Sequence, residues 1–309
     1  MKPLIKLTFA VLALTGSAWA GPLSREQVSA QAKWLLHFDA EHFQSTKLGR
    51  FYVDDLLVKH VAVMHDKSGF DFDPLLRSLK HATVFGTDFG KSSQTNAVVL
   101  LQAGEAPVRD FGEFVSSHTT RVRGKYPRVV QSKPFPIYKL DKRTIVAPLD
   151  NGVLLLGQSP KSISDAWEVL TGKQPNLAST SRFSEFASPA DSFVLALGAD
   201  GIGANIPLPD KMNFFRKADH LRVTLDERAD RLLLNVALDV QNAEVASRMK
   251  QMVEGLLAWA ALEKTDDEEV QLLVKSAKVV ATGPTVSASF EYPVERAIKM
   301  VRRGARMKK

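Results

Sequence analysis

The stretch NGVLLLGQSPKSISDAWEVLTGK, residues 151–173, contains a turn, a strand and a capped helix in immediate succession. Asn151 and Gly152 both tolerate positive φ, so they predict a two-residue hairpin turn. The apolar run 153–157 follows as a strand. Ser159 then stands as a helix N-cap with Pro160 at the first helical position, where a missing N–H costs nothing. Ile163, Ala166, Trp167 and Leu170 recur at helical spacing and form the buried stripe, and Gly172 suits the left-handed residue that ends a helix.

Working back from this stretch, a first unit reads as strands at Trp34–Asp39, 82–87, 96–102, 135–140 and 144–149, with a loop after the first and a helix over 107–117. Working forward, the same course recurs. Strands at 193–197, 221–225 and 232–240 lead to a helix from Asn242, then to a hairpin of strands 270–280 and 285–291, and Pro293 opens a last helix that Gly304 ends. Pro293 lies 133 residues after Pro160, Gly304 lies 132 after Gly172, and strand position 232 lies 135 after 97. Near-constant offsets predict an internal duplication. The fold class is α+β: two similar units of mainly antiparallel sheet with helices packed on one face. The organisation is a signal peptide at 1–20, a first unit at 21–174, a linker at 175–189, a second unit at 190–305 and a basic tail at 306–309. Leu221, Val223 and Leu225 alternate with His220, Arg222 and Thr224, which predicts one buried and one wet face. The first-unit runs 97–101 and 153–156 are apolar throughout, so both of their faces should be covered.

Three stretches, QAKWLLHFDAEHFQSTKLG (31–49), SGFDFDPLLRSLKHATVFG (68–86) and GVLLLGQSPKSISDAWEVLTGK (152–173), resemble a family of exported bacterial proteins, periplasmic or secreted, with two similar α+β units and no assigned activity. The shared motifs are a strand, a Leu-Gly helix end, a hairpin and a capped helix closing in Thr-Gly-Lys. The resemblance implies an exported location and the two-unit build; it implies no catalytic residue.

The amino terminus predicts the same location independently. Lys2 and Lys6 make a positive amino-terminal region, Leu4 to Leu14 supply a short apolar stretch, and Ser17-Ala18-Trp19-Ala20 fits the small-x-small rule, with cleavage after Ala20. The apolar run is too short for an ordinary membrane anchor, so no transmembrane segment is expected in the mature chain. The chain has 309 residues and no cysteine, which removes disulfides, thiolate nucleophiles and a lipid-bearing cysteine.

The formal charge of +7 is unevenly spread. Between Arg121 and Arg143 lie eight basic residues against Asp141 alone, and from Arg296 onward lie seven with no acid. The rest of the mature chain is therefore acidic. Arg121, Arg123, Lys125, Arg128, Arg302, Arg303 and Arg306 are the candidate contacts for an anionic partner: an envelope polymer, a membrane surface or a protein. Lysines and prolines between 121 and 143 also suit an exposed loop or an edge strand protected from pairing. Nucleic acid fits poorly with export and with the absence of interleaved aromatics.

Catalytic signals are sparse. His37 and Asp39 share a strand face and His42 follows, an imidazole–carboxylate set that could ligate a divalent metal, although its spacing matches no defined site. That set carries the alternative reading, a metal-dependent enzyme; His37 half-buried and Asp39 capping the next turn is the plainer one. Asp66, Asp71 and Asp73 lack the order of a calcium loop. Gly198, Gly201 and Gly203 lack the following helix of a phosphate loop, and Ser247–Lys250 has the Ser-x-x-Lys spacing without its companion motifs. The function expected is thus non-catalytic binding or assembly in the cell envelope through basic surfaces, with no cofactor.

Overall fold

A computed structural model describes residues 23–89, 96–120, 125–183, 192–199, 216 and 218–306, with residues 305 and 306 described without their side chains. The predicted signal peptide lies outside the described residues. The chain divides into two compact units, Met1–Glu185 and Phe186–Lys309, and the class is α+β.

In the first unit the strands are β1 (Trp34–Asp39), β2 (His81–Gly86), β3 (Val98–Gln102), β4 (Arg128–Gln131), β5 (Ile137–Lys139), β6 (Ile145–Pro148) and β7 (Val153–Gly157). They pair antiparallel in the order β1-β2-β3-β7-β6-β5-β4. Val153, Leu154 and Leu155 are all buried, as are Val98, Leu100 and Leu101, so successive residues on opposite faces are covered. This is why these strands are apolar without alternation. The helices are α1 (Ala40–Ser45), α2 (Lys47–Tyr52), α3 (Val58–Ser68), α4 (Asp73–Arg77), α5 (Glu105–Ser117) and α6 (Pro160–Leu170). In α6, Ser159 Oγ accepts the Ser162 N–H (3.1 Å), Ile163, Ala166 and Val169 are buried, and Gly172 has φ 72°. Trp167 is only half-buried, against Phe135, with the Lys173 ammonium 4.3 Å over its ring.

Two expectations fail in this unit. The segment after β1 is helical rather than a loop: Thr46 caps α2, a wider π-type turn spans Val53–Leu57, and Gly69 ends α3 with φ 76°. Buried Phe51, Val53, Leu56, Leu57 and Val61 give it the helical stripe that loops lack. Residues 175–183 also do not hang free as a linker. Leu177 is fully buried, its N–H donates to the Val28 carbonyl (2.8 Å), and the Arg25 guanidinium donates to the carbonyls of Leu177, Thr180 and Arg182. Satisfying three buried carbonyls with one side chain straps this stretch to the unit's first residues. Residues 184–191 lie outside the described residues.

In the second unit β8 (Val194–Gly198), β9 (Ala218–Arg228), β10 (Arg231–Val240), β11 (Lys278–Thr282) and β12 (Thr285–Pro293) pair antiparallel in the order β8-β9-β10-β12-β11. That is the order of β1-β2-β3-β7-β6. Its helices are α7 (Ala243–Glu263), α8 (Glu268–Ser276) and α9 (Val294–Arg306). The core comprises Ala218, Leu238, Val240, Ala246, Met249 and Val286, so only the first turns of α7 are anchored in it.

Three details differ from the reading of the sequence. Residues 270–276, expected as the first part of a strand 270–280, instead belong to α8, capped by Asp267, which accepts the N–H groups of Glu269 and Val270. Pro293 ends β12 rather than opening the last helix, which continues past Gly304. In β9 the buried residues include Thr224 and Asp226, whereas Leu221, Val223 and Leu225 are only half-buried. The cause is β8: Leu195 stands opposite Thr224 and Leu197 opposite Arg222, so the polar side of β9 continues into a buried leucine pair.

The β9–β10 turn is made by Ala229 (φ 48°) and Asp230 (φ 62°), a two-residue connection with both φ values positive and no glycine. The left-handed region costs alanine about 1–2 kcal/mol, whereas asparagine tolerates it. Ala229→Asn is accordingly expected to raise stability by about 1 kcal/mol, read as a higher urea midpoint with an unchanged slope. An unchanged midpoint would show that this turn carries no such strain.

Candidate functional site

The register of β1 on β2 sets His37 opposite Thr83 and Asp39 opposite His81, and all four of these polar residues are buried. His37 is 2% exposed, and its Nδ1 shares a hydrogen bond with Thr83 Oγ1 (2.9 Å). The His37 and His81 rings lie 5.4 Å apart at 41°. Asp39 ends β1 and caps α1, its Oδ1 accepting the His42 N–H (2.8 Å). Burial raises the Asp39 pKa, opposed by that N–H. Glu41, raised by burial and by the nearby Asp39 charge, keeps Oε2 buried without a partner. His81, 7% exposed, likewise has an unpartnered buried Nδ1, and desolvation, with a smaller push from Lys80, lowers its pKa to about 4.

The structure gives His37, Asp39 and His42 separate tasks. His37 is tied across the sheet, and Asp39 is spent on the helix cap. Among the described residues no group of three or more His, Cys, Asp or Glu side chains is placed to hold a metal ion. His81 and Glu41 join this buried cluster although the sequence did not single them out. Their position was the signal: His81 opens β2 and Glu41 lies in the first turn of α1, each next to a strand end.

The basic candidates fall on two elements. Arg121 and Arg123 lie outside the described residues, and so does the Arg306 side chain. Lys125 is exposed just before β4. Arg128 opens β4 directly opposite Lys139 on β5, with its guanidinium 5.8 Å from the Tyr126 ring centre and its Nε buried without a hydrogen-bond partner. On α9, Val294 and Ile298 are buried while Lys299, Met300, Val301, Arg302 and Arg303 are all exposed. Arg296, which the sequence places with the outward cations, instead bonds Glu268 and Glu269 of α8 (3.2 Å each). Glu269 also accepts from the Tyr292 hydroxyl; burial first, and then this carboxylate, push the tyrosine pKa up to about 12. Arg296 therefore fastens α9 to α8. Among the described residues no helix is long and apolar enough to cross a membrane.

These features define an α+β chain whose two units carry antiparallel strands of like order, with no cysteine in the sequence and no side-chain group placed to hold a metal ion among the described residues. No family model and no curated protein sequence matches it. Among solved structures it is similar to TP0453, a Treponema protein, in crystal form III: the match covers 92% of this chain and 99% of that one, with 14% identity and a TM-score of 0.51. Crystal forms I and IV of the same protein match over 92% of this chain and 97% of theirs, at 14% and 11% identity, each with a TM-score of 0.49. At that identity the likeness concerns the fold alone.

Proposed function

We propose that this chain is an exported, non-catalytic protein that attaches to an anionic surface of the cell envelope through the outer face of α9. One observation carries the reading. α9 is anchored by Val294 and Ile298 and by the Arg296 ion pairs, so Lys299, Arg302 and Arg303 are held together on its outward side, at spacings of three and four residues. Exposed Met300 and Val301 lie between them, which suits contact with a surface rather than with bulk water alone. The amino-terminal export pattern supplies the location, and His37 and Asp39 are each engaged in a structural hydrogen bond, His37 with Thr83 and Asp39 with the His42 N–H.

Each cation near an anionic leaflet contributes about 1 kcal/mol. Arg302→Gln/Arg303→Gln is therefore expected to weaken attachment by about 2 kcal/mol, roughly thirtyfold. The measurement is cosedimentation of the mature chain with phosphatidylcholine vesicles that contain or lack phosphatidylglycerol, across a salt titration, beside a soluble polyanion. Attachment should require the anionic component and decline as salt screens it. Binding to the polyanion but not the vesicles identifies a polymer as the surface. Failure to bind either one, or binding indifferent to salt and to the double substitution, overturns the proposal.

A further inference from the structure

We propose that the outer edge of β4 takes up an extended acidic segment of a partner protein as an additional strand, with Arg128 receiving one of its carboxylates. The inference shares with the preceding section only the reading of the chain as a binding protein. It rests on no residue of α9.

β4 ends its sheet, so one side of its backbone is not used by β5. Such an edge is a template for a further strand unless something blocks it. Within Arg128–Gln131 there is no proline; Pro127 and Pro134 lie outside the strand. Val129 is 45% exposed and Val130 37%, an apolar pair next to pairing-competent backbone.

The charges select what can pair. Arg128 and Lys139 stand directly opposite each other, an arrangement that destabilises a sheet unless an anion offsets it. The acid nearest in sequence, Asp141, is already engaged: its Oδ1 accepts the N–H groups of Arg143 (2.7 Å) and Thr144 (2.8 Å), and its Oδ2 accepts the Thr144 hydroxyl (2.9 Å). These bonds outweigh the desolvation that opposes them and, with the Lys139 charge, hold the Asp141 pKa below the usual range, so it stays ionised there as a fixed part of its own turn. The Arg128 Nε remains a buried donor with no acceptor, while the Tyr126 ring steadies the guanidinium. A carboxylate meeting the planar fork would satisfy that donor and break up the like-charge pair. With Lys125 and Lys133 beside it, the same edge repels a second copy of itself. Just ahead of the strand the Pro127 carbonyl accepts the Thr120 N–H (2.9 Å), but among the described residues no strand pairs with the outer side of β4, so an acidic strand meets complementary charge and an open edge together.

The test uses the full mature chain and a fluorescent octapeptide of alternating Glu and Val, read by anisotropy. Three comparators accompany it: the Lys-Val counterpart, and the Glu-Val peptide N-methylated on either alternate set of residues, which keeps the charge but removes strand hydrogen bonds on one edge. The Glu-Val peptide should bind about tenfold or more tightly than the Lys-Val peptide and than one of the two N-methylated forms. Arg128→Gln should cost about tenfold, with an unchanged melting temperature showing that the chain still folds. Hydrogen exchange at the β4 amides should slow when the peptide is added. Arg302→Gln/Arg303→Gln should leave peptide binding unchanged, which separates this proposal from the one concerning α9. Equal binding of all Glu-Val forms, indifference to Arg128→Gln, no binding, or loss only on substitution in α9 would each overturn it.

Discussion

Gly49→Ala should destabilise the first unit by about 3 kcal/mol or more, beyond what an exposed glycine substitution does. Gly49 is the third residue of α2, and a Cβ there would stand 1.7 Å from the Phe43 carbonyl oxygen and 2.5 Å from its carbon. The obstacle is backbone, so no side-chain rotation relieves it. It is also held in place: Thr46 Oγ1 accepts the Gly49 N–H (2.9 Å) and donates to that same Phe43 carbonyl (2.5 Å). The corner between α1 and α2 closes on a single buried hydroxyl, and an added methyl must open it. For a unit of this size the loss corresponds to a melting temperature lower by roughly 6–12 °C. Gly255→Ala is the control. It lies inside α7 with open space around the Cβ position, and should gain about 1 kcal/mol from helix propensity. Calorimetry of the two variants should move in opposite directions; a Gly49→Ala chain that melts with the parent would contradict this packing of the corner.

The parts of the fold that could be read from sequence are those whose local chemistry permits one answer. Asn151-Gly152, Ser159, Pro160 and Gly172 each serve a specific backbone need, and the structure places them at the turn, the cap, the first helical turn and the helix end. Apolar runs without alternation at 97–101 and 153–156 correctly implied cover on both faces. The misreadings come from places where tertiary context decides. The run 270–274 is apolar enough for a strand, but Asp267 ahead of Glu268 and Glu269 caps a helix there, a start signal outweighed in the reading by the valines. The β9–β10 hairpin, by contrast, is legible around residues 227–230, and only the positive φ of Ala229 goes unannounced by its residue type. Thr224 and Asp226 are buried because of what β8 brings alongside, which no alternation within β9 could announce. Strands β8-β9-β10-β12-β11 pair in the same relative order as β1-β2-β3-β7-β6, whereas Pro293 and Gly304, two of the landmarks behind the offsets of 132 to 135 residues, do not take the roles of Pro160 and Gly172.

Of the candidate sites, charge was legible and geometry was not. Composition located the two basic segments, but only the ion pairs show that Arg296 is structural and that Lys299, Arg302 and Arg303 are the exposed part. His37, Asp39 and His42 looked like one set because they are close in sequence. The strand register instead joins His37 to Thr83 and His81, residues more than forty positions away.

That register makes acid sensitivity the second large effect. His81 is buried with its pKa lowered to about 4, from an ordinary value of 6.5, chiefly by desolvation and secondarily by Lys80. Between those two pH values the folded chain binds fewer protons at this site than the unfolded chain does. Stability from His81 is therefore complete above pH 6.5, drains as pH falls toward 4, and amounts to about 3 kcal/mol. Asp39 and Glu41 act in the opposite sense. Their folded pKa values are raised, so they weaken the fold when ionised, and protonation in the carboxylate range restores part of what His81 loses. The loss should accordingly be steepest where His81 takes up its proton while both carboxylates are still ionised. Hydrogen exchange of the β1–β2 amides as a function of pH, corrected for intrinsic rates, reads this directly at the site. His81→Gln, which cannot take up the proton, should flatten the descent between pH 6.5 and 4, and Glu41→Gln should reduce the partial recovery, leaving the share due to Asp39. Parent and His81→Gln curves with the same slope would mean that acid acts elsewhere in the chain, and that the neutral imidazole beside His37 does not govern the stability of this strand pair.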